Sequence, residues 1–474
     1  MLSPGTVAPL PLPSSGAGGG GERQRADRLC RPCGLGRQDD GGGEDYQGAQ
    51  HGGDAEDPLG SVPVDHRPGQ GERREAGDPL QRERPSANPS ATRDPEQARL
   101  ADPRTAAFAE RAAFGEFVRR FPTALCSARD AAEAGRLLDA WGEALWQAAV
   151  NRAQGRRPGG DLAAGDDRPL YWTRLRMTVQ LADWKPGFPV DRSALRSRFE
   201  DASRGLTAND FRGTPGVRRL FVSGFDPFGL DTELRRANPS GSAVLQLNGR
   251  RLTLADGTPV EIRAVVLPVR YADFDAGIVE RAYGPRLAAG PRAADMITSI
   301  SQGYPGIFTL EAWAGRARSA DPYPDNADAL SGGTYAHPVT APGLGPGAEF
   351  LRTTLPTDAM TAVQSPYPVL LNTEVSEIPA GQDSPVDRTD GPTPGSRAVA
   401  GGGGGYLSNE VAYRSNRLRT ELSPRLPGGH LHTPVLTGLP TDPNQLTGAA
   451  FEQNESAIAA EVREVLLHSA PAAP

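Results

Sequence analysis

Arg219-Leu-Phe-Val-Ser-Gly-Phe-Asp-Pro-Phe-Gly229 is the stretch of this 474-residue chain that says most about its fold. Its apolar run, Leu220 to Val222, predicts a buried strand that leads into a turn bounded by glycines. The glycines free the backbone for a tight turn, and the proline between them stiffens it. Phe225 and Phe228 are therefore expected to form an apolar slot that clasps a flat ring. The alternative is that both rings only fill the edge of the core, as most buried Phe side chains do.

The sequence around this stretch predicts an α/β fold over residues 216–470. Short β-branched runs alternate with helical segments there, which is typical of an open, twisted, mostly parallel sheet flanked by helices, as in phosphorylase- or hydrolase-like folds. In such sheets, ligands bind in loops beyond the carboxyl ends of the strands. The strongest strand predictions are Leu220 to Val222, Val260 to Leu267, Met296 to Ile300 and Val369 to Val375.

Composition divides the rest of the chain. Residues 1–100 mix Gly, Pro, Arg, Asp and Glu with few large apolar side chains, so this segment is predicted to be disordered. Residues 101–215 are predicted to form a helical extension. Gly- and Pro-rich inserts at about 320–345 and 381–405 interrupt the α/β region and are candidates for mobile lids.

The helical extension shows core patterning and no sign of chemistry. Asp191 is expected to cap a late helix, and four phenylalanines are expected to mark an early one. An apolar stripe at three- and four-residue spacing predicts a buried helix face. The stripe is Leu137, Leu138, Trp141, Leu145 and Trp146, and the phenylalanines are Phe108, Phe114, Phe117 and Phe121.

Charge and hydropathy exclude several classes of function. The net charge of −7 provides no basic field for nucleic acid. No apolar run approaches the ~20 residues that span a bilayer, and no export signal is recognisable. Cys30-Arg-Pro-Cys33 has the spacing of half a zinc site without a second ligand pair, so we expect no metal and no cofactor.

Four further motifs supply a polar anchor, an acid, a hydroxyl nucleophile and a base, in that order. They are Asn238-Pro-Ser240, Phe308-Thr-Leu-Glu-Ala-Trp-Ala314, Gly404-Gly-Tyr-Leu-Ser-Asn409 and Gly428-Gly-His-Leu-His-Thr-Pro434. With the Phe225 turn and Pro324-Asp-Asn326, they resemble the pyroglutamyl peptidase I family, cysteine peptidases that remove an N-terminal pyroglutamate. The resemblance covers about half of the chain.

The resemblance implies a site residue by residue. Phe225 and Phe228 would hold the five-membered lactam, with Asn238 beside them. Glu311 would orient His432, which fits the family's His-x-Pro pattern and would act as the base. Ser408 stands where the family has its cysteine nucleophile.

Ser408 decides how much of that chemistry remains. A cysteine thiol ionises near pH 8.5 or lower, whereas a serine hydroxyl needs a base to take its proton as it attacks. Glu311, His432 and Ser408 would then work as a Ser-His-Glu triad. His430 points to the same strand face as His432 and is interpreted as a polar rim residue or a contact to a substrate loop.

Three readings follow. The first is a hydrolase that releases pyroglutamate from peptides through an acyl-enzyme on Ser408. The second is an inactive relative that binds a pyroglutamyl or similar cyclic-amide peptide. The third is a serine hydrolase of another amide or ester. The expected partner is a peptide with N-terminal pyroglutamate, in the cytoplasm, where members of this family typically act.

Overall fold

The structure, a computed structural model, describes residues 94–157, 159–207 and 209–469. Most of the predicted disordered segment therefore lies outside the described residues, as does Cys30-Arg-Pro-Cys33. Its last residues differ from the prediction, because α1 (Pro95–Ala98) and a 3₁₀ turn (Arg99–Ala101) are helical. The Asp94 carboxylate caps this helix by accepting the Glu96 backbone N–H at 2.9 Å. The prediction of disorder rested on the composition of the whole segment and did not consider this local cap.

In the helical extension, the apolar stripe forms a largely buried helix face, as predicted. Asp191 also caps its helix as predicted, because its carboxylate accepts the Ala194 N–H at 2.9 Å. The four phenylalanines, however, do not lie on one helix: Phe108 lies on the first, Phe117 and Phe121 lie on the next, and Phe114 directly precedes that second helix. Ala113 adopts a left-handed φ of 57° between them, so the chain turns and sends Phe108 into a different apolar cluster from Phe114. The helices are α2 (Pro103–Arg111), α3 (Gly115–Cys126), α4 (Ala131–Ala153), α5 (Arg168–Asp183) and α6 (Arg192–Ser203).

A seven-stranded, mostly parallel sheet forms the centre of the α/β region, which confirms the predicted fold class. Its strands are β1 (Arg218–Phe225), β2 (Arg251–Thr253), β3 (Pro259–Leu267), β4 (Met296–Gln302), β5 (Phe308–Glu311), β10 (Val369–Asn372) and β14 (Gly428–Thr433). In the strand order β10-β5-β14-β4-β1-β3-β2, only the β5–β14 and β2–β3 pairs are antiparallel.

One predicted strand is divided between the central sheet and a smaller sheet beside it. The run from Val369 to Val375 is split, because β10 pairs in the central sheet whereas the next strand begins at Val375 and pairs elsewhere. The remaining strands are β6 (Trp313–Gly315), β7 (Ala317–Arg318), β8 (Val339–Thr340), β9 (Phe350–Arg352), β11 (Val375–Ile378), β12 (Val386–Arg388) and β13 (Arg397–Ala400).

The extension and the central sheet share one hydrophobic core. Its largest cluster combines Trp141 and Phe199 of the extension with Leu220, Val222 and Val260 of the sheet. No helix of the described chain is long and apolar enough to cross a membrane. The helices of the α/β region are α7 (Pro239–Leu247), α8 (Tyr271–Asp275), α9 (Ile278–Leu287), α10 (Thr357–Thr361), α11 (Leu407–Leu422) and α12 (Ala449–Leu467).

Candidate active site

A cavity of about 190 Å³ opens where the parallel strands β1, β4 and β14 end. Each of these strands delivers side chains at its carboxyl end, as the topology of an open α/β sheet requires. The first turn of α11 closes another wall with Ser408. The cavity therefore brings together five of the six site residues predicted from sequence, and Glu311 reaches it through His432. Its lining includes Phe225, Phe228, Asn238, Ser301, Ser408 and His432.

Glu311 and His432 form a buried carboxylate–imidazole pair. Nδ1 of His432 lies 2.8 Å from Oε1 of Glu311. The carboxylate is itself held by two donors, the Thr309 hydroxyl at 2.6 Å and the Asn372 amide at 2.8 Å. Because a carboxylate only accepts hydrogen bonds, Nδ1 carries a ring proton, so in the neutral imidazole Nε2 has the lone pair. This is the arrangement that a general base requires.

Glu311 approaches His432 from a strand that runs in the opposite direction. It is the last residue of β5, which runs antiparallel to β14 and sets Glu311 opposite His430. The contact to His432 is thus diagonal, between side chains on one face of two neighbouring strands. Sequence cannot reveal this, because strand direction depends on the connection between β4 and β5.

His430 is buried, so its interpretation as a rim residue was wrong. Its Nδ1 lies 2.7 Å from the Ser299 hydroxyl, and its Nε2 lies 2.8 Å from the Ser301 hydroxyl. The register places Ser299 beside His430 and Ser301 beside His432, so all four side chains share one face. Burial, and then the neighbouring His432, hold the pKa of His430 well below its ordinary value. His430 is therefore a neutral imidazole.

The two imidazoles are in contact, because Nε2 of His430 lies 3.3 Å from Nε2 of His432. In the tautomer in which Nε2 of His430 carries the ring proton, that one hydrogen is shared between Nε2 of His432 and the Ser301 oxygen at 2.8 Å, and the Ser299 hydroxyl donates to Nδ1. The Ser301 hydroxyl then accepts from His430 and keeps its own hydrogen for the cavity. Sequence reasoning missed both serines. The alternation of Ser299 and Ser301 along β4 was the available signal.

Ser408 lies in the first turn of α11, where backbone N–H groups have no acceptor within the helix. Its hydroxyl donates to the Gly403 carbonyl at 2.9 Å. Within the part of the chain that the structure describes, no hydrogen bond joins Ser408 to His432. Both residues nevertheless line the same cavity.

The glycine run at residues 401–405, directly before α11, is buried and forms part of the site wall. The insert at about 381–405 was predicted to be a lid, and this prediction is wrong for its last residues. A Cβ atom on Gly402 would lie 2.0 Å from Oε2 of Glu311, and one on Gly403 would lie 3.0 Å from Cε1 of His432. Only glycine lets the backbone approach both members of the pair this closely.

Phe225 and Phe228 both line the cavity, and each also belongs to the core. The Phe225 ring is 3% exposed and stacks on Phe274, with centroids 6.2 Å apart and an interplanar angle of 7°. Phe228 is more exposed and only borders the same apolar cluster. Core packing thus fixes the Phe225 side chain at the cavity wall.

Two asparagines fix the backbone of the Phe225 turn. Asn238 caps α7 and donates its side-chain amide to the Asp226 carbonyl at 3.0 Å. Asn326, from the Pro324-Asp-Asn326 motif, donates to the Pro227 carbonyl at 2.9 Å. Asn238 is therefore occupied in shaping the pocket, and its contact with a ligand stays a prediction.

The helical extension holds the same turn from the other side. The Asp226 carboxylate accepts from Arg174 of α5 and from Arg204 after α6, each at 2.5 Å. Glu200 completes this buried cluster of two acids and two arginines at 3.0 Å from Arg204. Burial alone raises the pKa of Glu200, but Arg204 and Arg174 outweigh burial and lower it to about 2. The sequence analysis did not predict this contact between the extension and the Phe225 turn. The available signal was Arg174, a charged residue among the apolar residues of α5.

Three acids lie buried beneath the start of α7. Carboxylate oxygens of Asp166, Asp167 and Glu455 lie within 4.8 Å of one another. Asp167 accepts the Asn238 N–H at 3.1 Å, and Arg168 pairs with Asp166 at 2.8 Å. Burial, followed by the Asp166 charge, raises the pKa of Glu455 to about 8, and the pKa of Asp167 is also raised well above its ordinary value. This buried acid cluster therefore retains a proton at neutral pH.

Two family models match the chain. The PA0049 N-terminal domain matches residues 79–200, and the PA0049 C-terminal domain matches residues 219–341 and 355–437. The uncharacterized protein PA0049 of Pseudomonas aeruginosa is 34% identical over 455 aligned positions, which cover 75% of this chain and 82% of that protein.

Solved structures of pyroglutamyl peptidases are more distant. Pyroglutamyl peptidase I from Bacillus amyloliquefaciens is 18% identical over 54% of this chain and 96% of that one, with a TM-score of 0.35. Pyrrolidone carboxyl peptidase from Thermococcus litoralis is 16% identical over 53% and 94%, with a TM-score of 0.34. Scores this low carry no argument about activity. The match to both PA0049 domains and to the Pseudomonas protein shows that this chain belongs to the PA0049 family.

Proposed function

We propose that this protein is a serine hydrolase that releases an N-terminal pyroglutamyl group from peptides. The observation that carries the proposal is the buried Glu311–His432 pair, whose imidazole lines one cavity together with a serine hydroxyl and two phenylalanine side chains. An acid, an imidazole and a hydroxyl in one pocket are the components of acyl transfer.

The proposed reaction begins with attack by Oγ of Ser408 on the carbonyl carbon of the pyroglutamyl group. Nε2 of His432 accepts the hydroxyl proton, and Glu311 stabilises the imidazolium that forms. Backbone N–H groups in the first turn of α11 would stabilise the oxyanion. His432 then protonates the leaving amine. In the second half of the reaction, Nε2 of His432 takes a proton from water as the water attacks the ester, and gives that proton to Oγ of Ser408 as pyroglutamate leaves.

Phe225 and Phe228 would bind the lactam ring between their faces. Because Phe225 is already packed on Phe274, it loses little side-chain freedom on binding. Before attack, the Ser408 hydroxyl has to leave the Gly403 carbonyl and turn towards His432.

A second candidate is a binding protein for cyclic-amide peptides that does not turn them over. The observation that favours it is the hydrogen bond from Ser408 to Gly403, which leaves the hydroxyl without contact to the base within the described chain. The apolar slot serves binding equally well in both candidates.

The test is cleavage of a fluorogenic pyroglutamyl amide by the wild type, Ser408→Ala and Ser408→Cys. Ser415→Ala is the matched control, because Ser415 lies on the same helix and also donates to a backbone carbonyl. We expect Ser408→Ala to lose about a thousandfold or more in kcat/KM, with no change for Ser415→Ala.

The other outcomes separate the candidates. Cleavage by Ser408→Cys alone, with calorimetric binding of the amide by the wild type, identifies the binding protein. Hydrolysis of simple esters without binding or cleavage of any pyroglutamyl amide identifies a serine hydrolase with another substrate and overturns the proposal.

A further inference from the structure

Among the residues that the structure describes, the cavity lining includes one arginine without a protein partner for its guanidinium. Arg236 lines the cavity and is half-buried, yet its guanidinium makes no hydrogen bond or ion pair with any other residue that the structure describes. Arginine stays charged at every physiological pH, so a half-buried guanidinium favours an anionic partner.

The neighbouring Arg235 differs from Arg236, because its guanidinium has protein partners. Its guanidinium pairs with Glu233 at 2.7 Å and donates to three backbone carbonyls, those of Pro440, Asp442 and Gln445. The two consecutive arginines thus have different roles. Arg235 holds the loop at residues 440–445 in place, whereas Arg236 lines the cavity.

The guanidinium is also held close to the predicted lactam slot. A Cβ atom on Gly229 would lie 2.6 Å from Nη1 of Arg236, so the guanidinium packs over the glycine that ends the Phe225 turn. The only acid that lines the cavity within the described chain is Asp231, which is exposed and forms no ion pair with Arg236. The charge of Arg236 is therefore available to a ligand.

We propose that Arg236 binds a carboxylate of the substrate, so that the preferred substrates are pyroglutamyl peptides with an acidic group next to the lactam. A guanidinium presents parallel N–H donors that match a carboxylate in two-point contact. The carboxylate has two sources, the side chain of an acidic residue after the pyroglutamate or the C-terminal carboxylate of a dipeptide. The inference rests on the proposed binding of a pyroglutamyl group.

Four short pyroglutamyl peptides test the proposal, and the two alanine peptides among them are matched in size. Pyroglutamyl-alanine amide is neutral, pyroglutamyl-alanine has a C-terminal carboxylate, pyroglutamyl-glutamate amide has a side-chain carboxylate, and pyroglutamyl-lysine amide is cationic. For each we would measure kcat/KM, and the dissociation constant on Ser408→Ala by calorimetry. Comparison of the two anionic peptides identifies the source of the carboxylate.

We expect the wild type to prefer an anionic peptide over the neutral one by about tenfold, which corresponds to about 1.4 kcal/mol. Arg236→Met removes this preference, and Arg236→Glu turns it towards the lysine peptide. Arg236→Lys keeps the charge and loses the two-point geometry, so part of the preference remains and falls steeply with salt. The control is Arg250→Met, which alters an exposed arginine beyond the far end of α7 and leaves the preference intact.

Equal handling of anionic and neutral peptides by the wild type would overturn the proposal, as would a preference that survives in Arg236→Met. In both cases binding of the neutral peptide leaves the proposed function standing. Failure of all four peptides to bind overturns the pyroglutamyl assignment and the role of Arg236 together. Charge-dependent binding without cleavage supports Arg236 and rejects only the hydrolase.

Discussion

Replacing Arg174 by methionine is expected to destabilise the fold and weaken the pocket, because Arg174 holds the carboxylate of the Phe225 turn. The Arg174–Asp226 pair is 2.5 Å long, with side chains only 2% and 3% exposed. With Arg204 and Glu200, the cluster contains two positive and two negative charges. Arg174→Met leaves it with an excess negative charge in the interior.

Breaking a buried pair from one side costs about 3–5 kcal/mol, a large part of the roughly 5–15 kcal/mol that stabilises a typical protein. Arg174→Met with Asp226→Asn removes one charge of each sign and restores neutrality, so we expect the double variant to be more stable than Arg174→Met alone. The control is Arg198→Met, which breaks an ion pair with Asp139 whose side chains are 49% and 32% exposed. That change should cost about 0–1 kcal/mol.

Urea unfolding followed by circular dichroism gives the free energies, and calorimetry with a pyroglutamyl amide gives the affinity. Affinity should fall in Arg174→Met and stay unchanged in Arg198→Met, because only the first reaches the turn. If both single variants lose similar stability, or if Asp226→Asn adds to the loss caused by Arg174→Met, the argument from buried charge is refuted.

Three further predictions concern the site and its surroundings. Gly402→Ala should reduce kcat by about a hundredfold or more, because its Cβ displaces the Glu311 carboxylate from His432. The control is Gly284→Ala, whose Cβ has open space around it. Equal kcat values for the two variants would contradict the close approach of Gly402 to Glu311. His430→Leu should reduce kcat by about tenfold with little change in KM, and His430→Gln, which keeps an N–H donor, should retain more activity; equal losses would exclude a role for the donor. Glu455 binds its proton more tightly in the folded state, so its stabilising contribution is complete below pH 4.5 and is lost as pH rises through about 8. Glu455→Gln should therefore gain stability relative to the wild type between pH 5.5 and 8.5 in thermal unfolding, and a pH-independent difference would rule out a buried proton.

The sequence by itself determined the local features of this protein. The strand into a glycine-bounded turn at Phe225 and the cap at Asp191 follow from residue preferences over a few positions, and the structure has both. Alternating β and helical segments likewise predicted the α/β class. The roles of Ser408 and His432 came from motif resemblance and remain predictions.

The tertiary structure decided the features that join distant segments. The reversed direction of β5 makes the contact between Glu311 and His432 diagonal, and the shared strand face gives His430 two serine partners. Arg174 reaches Asp226 across 52 positions of sequence. Periodicity and propensity act over one or two turns, so they do not specify which charges meet in a core formed by both regions.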